Sequence, residues 1–386
     1  MDDHTLPPSP LLDHCPDGLP SHAYFDPDWF AQEQAAIWGR HWVYAGRAAD
    51  IETGRIKKVT VGTDSVIIVR NDKDQLAAFH NTCRHRGAEL CQTDQAPFNG
   101  KVITCPYHAW AYGLDGRLVS TAFATPTADF DKAAHGLFAV HLTQWNGMVF
   151  VSTAAKAPDL SPDTALDIYD NWPMAGLVTG ASLTTEIACN WKIFWENYNE
   201  CLHCPGIHAD LSDRVPIYRK GIMSPNEALD YDPQNHPDRN LKTGTRSWTI
   251  NGAACGPEFA NLSNHERAEG YVFTTFYPSM FIVAHVDYVR VVSLTPVSPE
   301  VTALKAEWLF SRETLAQPGF DLANVTDFAT KVLAEDAAAC EMNQRGLKSS
   351  RFNSARLMPQ EFELHHFHNW ILAQLGKTGA TAPGTD

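Results

Sequence analysis

Two short pairs of residues carry the first chemistry in this chain: Cys83-Arg84-His85 and Cys105-Pro106-Tyr107-His108. Two soft thiolates and two imidazoles, arriving as C-x-H and C-x-x-H, form the ligand set of a [2Fe–2S] cluster. In such a cluster cysteine holds one iron and histidine the other, and the centre stores and passes one electron. The same donors suit a structural zinc ion, but finger-type zinc ligands arrive as a cysteine pair and a histidine pair. Each pair here mixes the two, which favours the cluster. A second set follows in Glu200-x-x-His203-x4-His208. Two imidazoles and a carboxylate with open positions are the ligands of a mononuclear non-haem Fe(II) centre. Electrons entering at one centre and used at the other make the chain a redox enzyme.

The second set asks for a helix. A helix over Trp191 to His203 puts Glu200 and His203 on one face, because residues three apart are neighbours there. Pro205 and Gly206 then bend the chain and re-aim His208. The carboxylate is either Glu200 itself or a distant acid. Asp327, Glu335, Asp336 and Glu341 stand ready on a helix expected from about Asp321 to Gln344. Cys201-x-x-Cys204 has the spacing of a thioredoxin-type dithiol, but it interleaves with His203 and lacks a βαβ context, so redox pairing is not expected. His365-His366-x-His368 lies on a terminal helix, expected from Glu361 to Leu375, and reads as structural. Cys91 falls outside both ligand pairs and reads as a buried thiol.

The first set asks for loops between strands. Ser65 to Arg70 reads as a strand, Asn71 to Asp74 as a turn, and Leu76 to His80 as the returning strand of a hairpin. Val102-Ile103-Thr104 leads into the second ligand pair, and Gly147 to Val151 closes the β-rich run. Many short strands with glycine turns predict a small sandwich or barrel. A helix is expected from Pro27 to about Trp42. Residues 154–165, with Pro158 and Pro162, read as a linker. Long strands then recur at Tyr271 to Tyr277, Phe281 to His285, Val289 to Thr295 and Leu304 to Phe310, as in an antiparallel sheet.

At 386 residues the chain exceeds the size at which one core usually keeps growing, so two domains are expected. A net charge of −15 argues against nucleic acid or an anionic membrane surface as partner. No run approaches the roughly 18 apolar residues a membrane helix needs. The acidic start lacks a signal peptide's basic and apolar regions. Nine cysteines, an odd number, fit a reducing compartment better than a disulfide framework. A soluble cytoplasmic protein is expected.

In order along the chain stand Cys83-Arg84-His85-Arg86-Gly87, Cys105-Pro106-Tyr107-His108-Ala109-Trp110, and Asn190-Trp191-Lys192-x3-Glu196-Asn197-x2-Glu200-x2-His203-x4-His208. With these motifs the chain resembles the catalytic α subunit of the Rieske non-haem iron oxygenases, from about Tyr24 to Leu375. The resemblance implies an α+β protein: an all-β Rieske [2Fe–2S] domain, then a helix-grip domain, related to the START family, with an antiparallel sheet. The corresponding divisions are residues 1–40 as extension and helix, 41–153 as Rieske domain, 154–376 as catalytic domain, and 377–386 as a disordered tail.

The resemblance also implies roles. Cys83, His85, Cys105 and His108 hold the cluster, and His203, His208 and Asp336 hold the iron. Glu200 bridges His203 to His108 of the partner subunit in a head-to-tail trimer, and Asn197 lies nearby. Electrons come one at a time from NAD(P)H through a separate flavin and iron–sulfur reductase, with or without a ferredoxin, since the chain has no G-x-G-x-x-G fingerprint of its own. Dioxygen is the co-substrate.

Two branches of the family remain open: ring dioxygenases, which form cis-diols, and enzymes that hydroxylate N-methyl carbons. The runs Glu196 to His208 and Gln344-Arg345-Gly346-Leu347 look more like betaine, stachydrine and choline oxygenases. Aromatic residues of the C-terminal half (Trp195, Tyr198, Trp248, Tyr271, Phe273, Phe276, Tyr277, Tyr288, Trp308) could cage a quaternary ammonium by cation–π attraction. N-demethylation is therefore the expected reaction. A Rieske electron carrier or binding protein is the contrasting class. It would need no second metal set.

Overall fold

The computed structural model describes residues 8–98, 100–160, 166–232 and 241–377. The expected disordered tail lies almost wholly outside them. The chain divides into two compact units: residues 34–161 with Tyr277–Ser279, and residues 1–33, 162–276 and 280–386.

The first unit is built from short strands. Among the described residues these are β1 (Val43–Arg47), β2 (Arg55–Val61), β3 (Asp64–Arg70), β4 (Leu76–His80), β5 (Gln95–Pro97), β6 (Val102–Thr104), β7 (Ala111–Gly113), β8 (Leu118–Ser120), β9 (Ala139–Trp145) and β10 (Met148–Ser152). A seven-stranded sheet has the order β1-β10-β9-β4-β3-β2-β5, and β6, β7 and β8 form a second sheet of three. The β-branched run Val66-Ile67-Ile68-Val69 is buried on both faces, which suits the middle of a sheet. The expected hairpin is present, with Val66 opposite His80 and Arg70 opposite Leu76. Its turn passes through Asp74 at φ 63°.

The second unit is α+β. Its five-stranded antiparallel sheet comprises β11 (Val178–Ile187), β12 (Tyr271–Phe276), β13 (Met280–His285), β14 (Val289–Ser298) and β15 (Val301–Phe310), in the order β11-β15-β14-β13-β12. Its principal helices are α1 (Pro27–Glu33), α2 (Trp191–Tyr198), α3 (Cys204–Ile207), α4 (Ala209–Arg214), α5 (Leu322–Gly346) and α6 (Phe362–Gln374). No helix among the described residues is long and apolar enough to cross a membrane.

Two helices differ from expectation. The helix begun at Pro27 is α-helical only to Glu33 and changes to a π-turn over Gln34–Trp38. Helix α2 ends at Tyr198, five residues before the expected His203, where the amide N–H of Asn199 closes on the Trp195 carbonyl. Its start is well determined, because the Asn190 side chain accepts from the Lys192 amide, capping the first turn.

A buried ion pair ties α1 to α2. Lys192 Nζ lies 2.6 Å from Glu33 Oε1, and neither side chain is exposed. The indole N–H groups of Trp29 and Trp191 donate to the two Glu33 oxygens, each at 2.8 Å. Both carboxylate oxygens are therefore hydrogen-bonded, which is what makes a buried carboxylate tolerable.

Candidate functional site

The first unit brings the two mixed ligand pairs onto twin loops. In one, the Cys83 carbonyl accepts from the Gly87 amide, and the Cys83 amide donates to the Ala88 carbonyl. In the other, the Cys105 carbonyl accepts from Ala109 and the Cys105 amide donates to Trp110. Each loop turns through a left-handed residue, Gly87 at φ 77° and Ala109 at φ 56°. Alanine pays a steric cost there that glycine does not. Both cysteines sit in the apolar core with Ile67, Ile103, Trp110 and Tyr112, whereas His85 is exposed and His108 half-buried. Thiolates inward and imidazoles outward is the polarity a Cys2His2 diiron cluster needs.

The imidazoles face one another, with ring centroids 4.8 Å apart. Trp110 stacks on His85 at 4.7 Å. The Tyr112 hydroxyl lies 3.2 Å from Cys83 Sγ and accepts from the Arg84 amide. Burial raises the Cys105 thiol pKa, so a thiolate there would need a metal to stabilise it. Desolvation, with His85 and Arg86 nearby, lowers the His108 pKa and keeps its imidazole neutral, the form that binds metal. Tyr107, inside the second ligand pair, is exposed and packs on His108.

In the second unit His203, His208 and Asp336 offer ligand atoms within 4.8 Å of one another, the one such trio among the described residues. Helix α5 explains why Asp336 is here. Its buried stripe runs Val325, Ala329, Val332, Leu333, Cys340, Gln344, and Asp336 falls within that stripe. An acid on the apolar face of a helix must have partners. It has both histidines: His208 Nε2 at 2.9 Å and His203 Nε2 at 3.6 Å from Asp336 Oδ1.

The other ring nitrogens are spoken for. His203 Nδ1 lies 2.5 Å from Glu200 Oε1, and His208 Nδ1 lies 2.8 Å from Glu335 Oε2. Carboxylates that hold Nδ1–H aim the Nε2 lone pairs at a metal, the usual outer support of a histidine site. Burial works against a charged His203, but the hydrogen bonds it donates to Asp336 and Glu200 overcome it and raise its pKa to about 9. The site attracts positive charge.

Glu200 and His203 therefore meet, though not on a helix as expected. They lie on a turn in which Glu200 Oε2 accepts from the amides of Leu202 and His203. Cys201 and Cys204 close that turn as a disulfide, contrary to the expectation that they would not pair. The interleaved histidine does not prevent pairing, because the tight turn brings their Cα atoms to 4.9 Å. Cys91 is a buried thiol as expected, donating to the Thr93 carbonyl. His368 is buried against Glu196 at 2.8 Å, while His366 remains largely exposed, in keeping with a structural tract.

A cavity opens beside the trio, lined among others by Asn197, Tyr198, Tyr218, Trp248, Phe273 and Phe281. Of the expected cage aromatics only Tyr198, Trp248 and Phe273 reach it; Trp195, Tyr271, Phe276, Tyr277, Tyr288 and Trp308 do not line it. Arg290 also lines the cavity and went unnoticed in the sequence, as did the supporting role of Glu335. One sequence signal was available for Arg290: a lone charge in the apolar strand Val289-Arg290-Val291-Val292.

Residues 41–131 match the Rieske [2Fe-2S] domain, and residues 174–377 match the family described as ring hydroxylating alpha subunit (catalytic domain). The chain is 31% identical to the glycine betaine monooxygenase oxygenase subunit of Chromohalobacter salexigens, over 95% of this chain and 87% of that protein. It is 27% identical to the carnitine monooxygenase oxygenase subunit of Escherichia coli K12, over 93% and 94%. It is 25% identical to chloroplastic choline monooxygenase of Beta vulgaris, over 91% and 76%. In fold it is similar to a quaternary ammonium Rieske monooxygenase solved with L-carnitine, at a TM-score of 0.70 and 21% identity, covering 94% and 96%. Naphthalene 1,2-dioxygenase from Rhodococcus sp. shares the fold at 0.69 and 19% identity, covering 94% and 95%. The thiolate–imidazole loops, the carboxylate-backed histidines and these matches lead to one assignment: the chain belongs to the Rieske non-haem iron oxygenases, as a catalytic α subunit related to the glycine betaine, carnitine and choline monooxygenases.

Proposed function

We propose that the protein is the terminal oxygenase that removes an N-methyl group from a quaternary ammonium compound. In this reading Cys83, His85, Cys105 and His108 hold the [2Fe–2S] cluster, and His203, His208 and Asp336 hold the iron. Bound there, the cluster supplies single electrons and the iron supplies dioxygen activation. NAD(P)H is oxidised by a separate flavin and iron–sulfur reductase.

The observation that carries the reading is the cavity beside the trio. Tyr198, Trp248 and Phe273 line it together with the carboxylates of Glu200 and Asp336, and Glu335 stands behind His208. Aromatic faces attract an alkylammonium without asking it for a hydrogen bond it cannot donate. The neighbouring acids add attraction from the metal side. Hydroxylation of one N-methyl carbon gives a hemiaminal that collapses to the tertiary amine and formaldehyde. Substrate, O2, NADH and one proton thus yield protonated tertiary amine, formaldehyde, water and NAD+.

The chain's own residues divide the work. Glu200 and Glu335 keep Nδ1–H on each histidine and so present Nε2 inward. The apolar wall of Phe281, Val283 and Leu333 limits water at the reacting carbon. Three copies assemble head to tail, and Glu200 links His203 to His108 of the partner subunit.

The test is formaldehyde release coupled to O2 and NADH use, with a reductase and a panel of trimethylammonium compounds. Formaldehyde in step with NADH is expected. A cis-diol from an arene, with no formaldehyde from any N-methyl compound, would reverse the assignment. His203→Ala should abolish turnover and leave the cluster's visible spectrum intact.

A further inference from the structure

Arg290 has a surrounding that its own protein does not complete. One row of side chains crosses four strands of the sheet: Phe273 faces Val283, Val283 faces Arg290, and Arg290 faces Trp308. Directly opposed residues share a face, and the first three of this row line the cavity. A guanidinium, a fixed cation with five donors, thus stands in an otherwise apolar row. Arg290 is 4% exposed. No residue among those described pairs with it or hydrogen-bonds it, and its Nε has no partner.

Its neighbours repeat the pattern. The indole N–H groups of Trp248 and Trp308 are buried without acceptors among the described residues, and so are both ring nitrogens of His285. Trp248 lies 5.2 Å from His285, ring to ring. Desolvation, together with the charge of Arg290, drives the His285 pKa well below its ordinary value, so this imidazole is neutral and does not answer the guanidinium's charge. Of these side chains Arg290 and Trp248 line the cavity, and among the described residues no carboxylate receives their donors. Buried donors in native proteins are almost always satisfied, and an unpaired buried cation is among the costlier things a fold can hold. An anionic ligand resolves both.

The charges also sort ligands. Glu200, Glu335 and Asp336 cluster at the histidine trio, while Arg290 stands among aromatic and aliphatic walls of the same cavity. A plain cation gains from the acids and is repelled by the guanidinium. A molecule with an ammonium at one end and a carboxylate at the other gains at both.

We infer that Arg290 is the residue that recognises a substrate carboxylate, so that the substrate is a zwitterionic betaine rather than a cationic amino alcohol. This rests on the N-demethylation reading for the identity of the ammonium end. The carboxylate site itself rests on Arg290 and its unanswered neighbours.

Glycine betaine and choline test it, since both carry a trimethylammonium group and differ by carboxylate against hydroxymethyl. Binding is read by calorimetry on anaerobic holoenzyme, and turnover by formaldehyde, for wild type, Arg290→Gln and Arg290→Lys. Wild type should favour glycine betaine, and Arg290→Gln should lose ~30-fold or more of that affinity. Choline binding should change little or improve, and Arg290→Lys should recover part of the betaine affinity. The cluster's visible spectrum reports that each variant is folded. Betaine affinity that survives Arg290→Gln, or a wild-type preference for choline, overturns the inference. Arg290-dependent betaine binding without formaldehyde supports the carboxylate site and instead removes the demethylation reading.

Discussion

Glu335 offers a clean measure of how much the supporting acids contribute to metal binding. Its Oε2 lies 2.8 Å from His208 Nδ1, while His208 Nε2 points to Asp336. Glu335→Gln keeps the volume and an acceptor but removes the charge; Glu335→Ala removes both. Loss of an outer partner of a metal-bound histidine costs about 10- to 100-fold in metal affinity. That is about 1.4 to 2.7 kcal/mol, the range measured for hydrogen bonds to charged groups. Gln should therefore fall near the lower end and Ala near the upper. Glu200 is less suited to this test, because it also accepts from the amides of Leu202 and His203 and its removal would loosen the turn. The assay is anaerobic competition for Fe(II) against a coloured chelator, with the cluster spectrum as internal control. At saturating iron, turnover should return to within about threefold. Unchanged affinity in Glu335→Ala would refute the claim that this acid orients His208, as would loss of the cluster absorbance along with the iron.

Two further outcomes follow from separate parts of the fold. Tyr112→Phe removes the hydroxyl 3.2 Å from Cys83 Sγ; because hydrogen bonds to cluster sulfurs favour the reduced state, the potential should fall by tens of millivolts, roughly 59 mV for each tenfold change in equilibrium, as read by redox titration. Lys192→Met leaves Glu33 buried without its cation; removing one partner of such a pair costs about 3 to 5 kcal/mol, read as a lowered denaturation midpoint, and the double change Lys192→Met with Glu33→Gln should recover much of it.

The cluster loops were the most legible part of the sequence, because each ligand pair is local: two donors within a few residues, before a residue that can turn left-handed. The candidate iron site was legible in the residues that come together there but not in its geometry. Glu200 and His203 were placed on a helix by their spacing, yet α2 stops at Tyr198 and a turn supplies the contact. Spacing of three satisfies both shapes, so it could not choose between them. Asp336 came through family resemblance, since four acids of that helix competed and only the tertiary fold selects one. The periodic stripe of α5 carries a physical hint, an acid where the pattern asks for an apolar residue. Arg290 was hidden for the opposite reason. A single charge in a β-strand usually marks the solvent face, and only the sheet register shows that this one points into the cavity.

The trio of His203, His208 and Asp336 also spans a long stretch of chain. His208 and Asp336 are 128 residues apart, with β12 to β15 folded between them. A cation gripping both acts as a staple on the polypeptide, and whatever free energy it gains in binding is added to the folded state alone. Melting temperature should then climb with free Fe(II), and chains made under iron starvation should be cut sooner by proteases. Supply of the metal would in this way govern how much oxygenase persists as well as how fast each copy turns over.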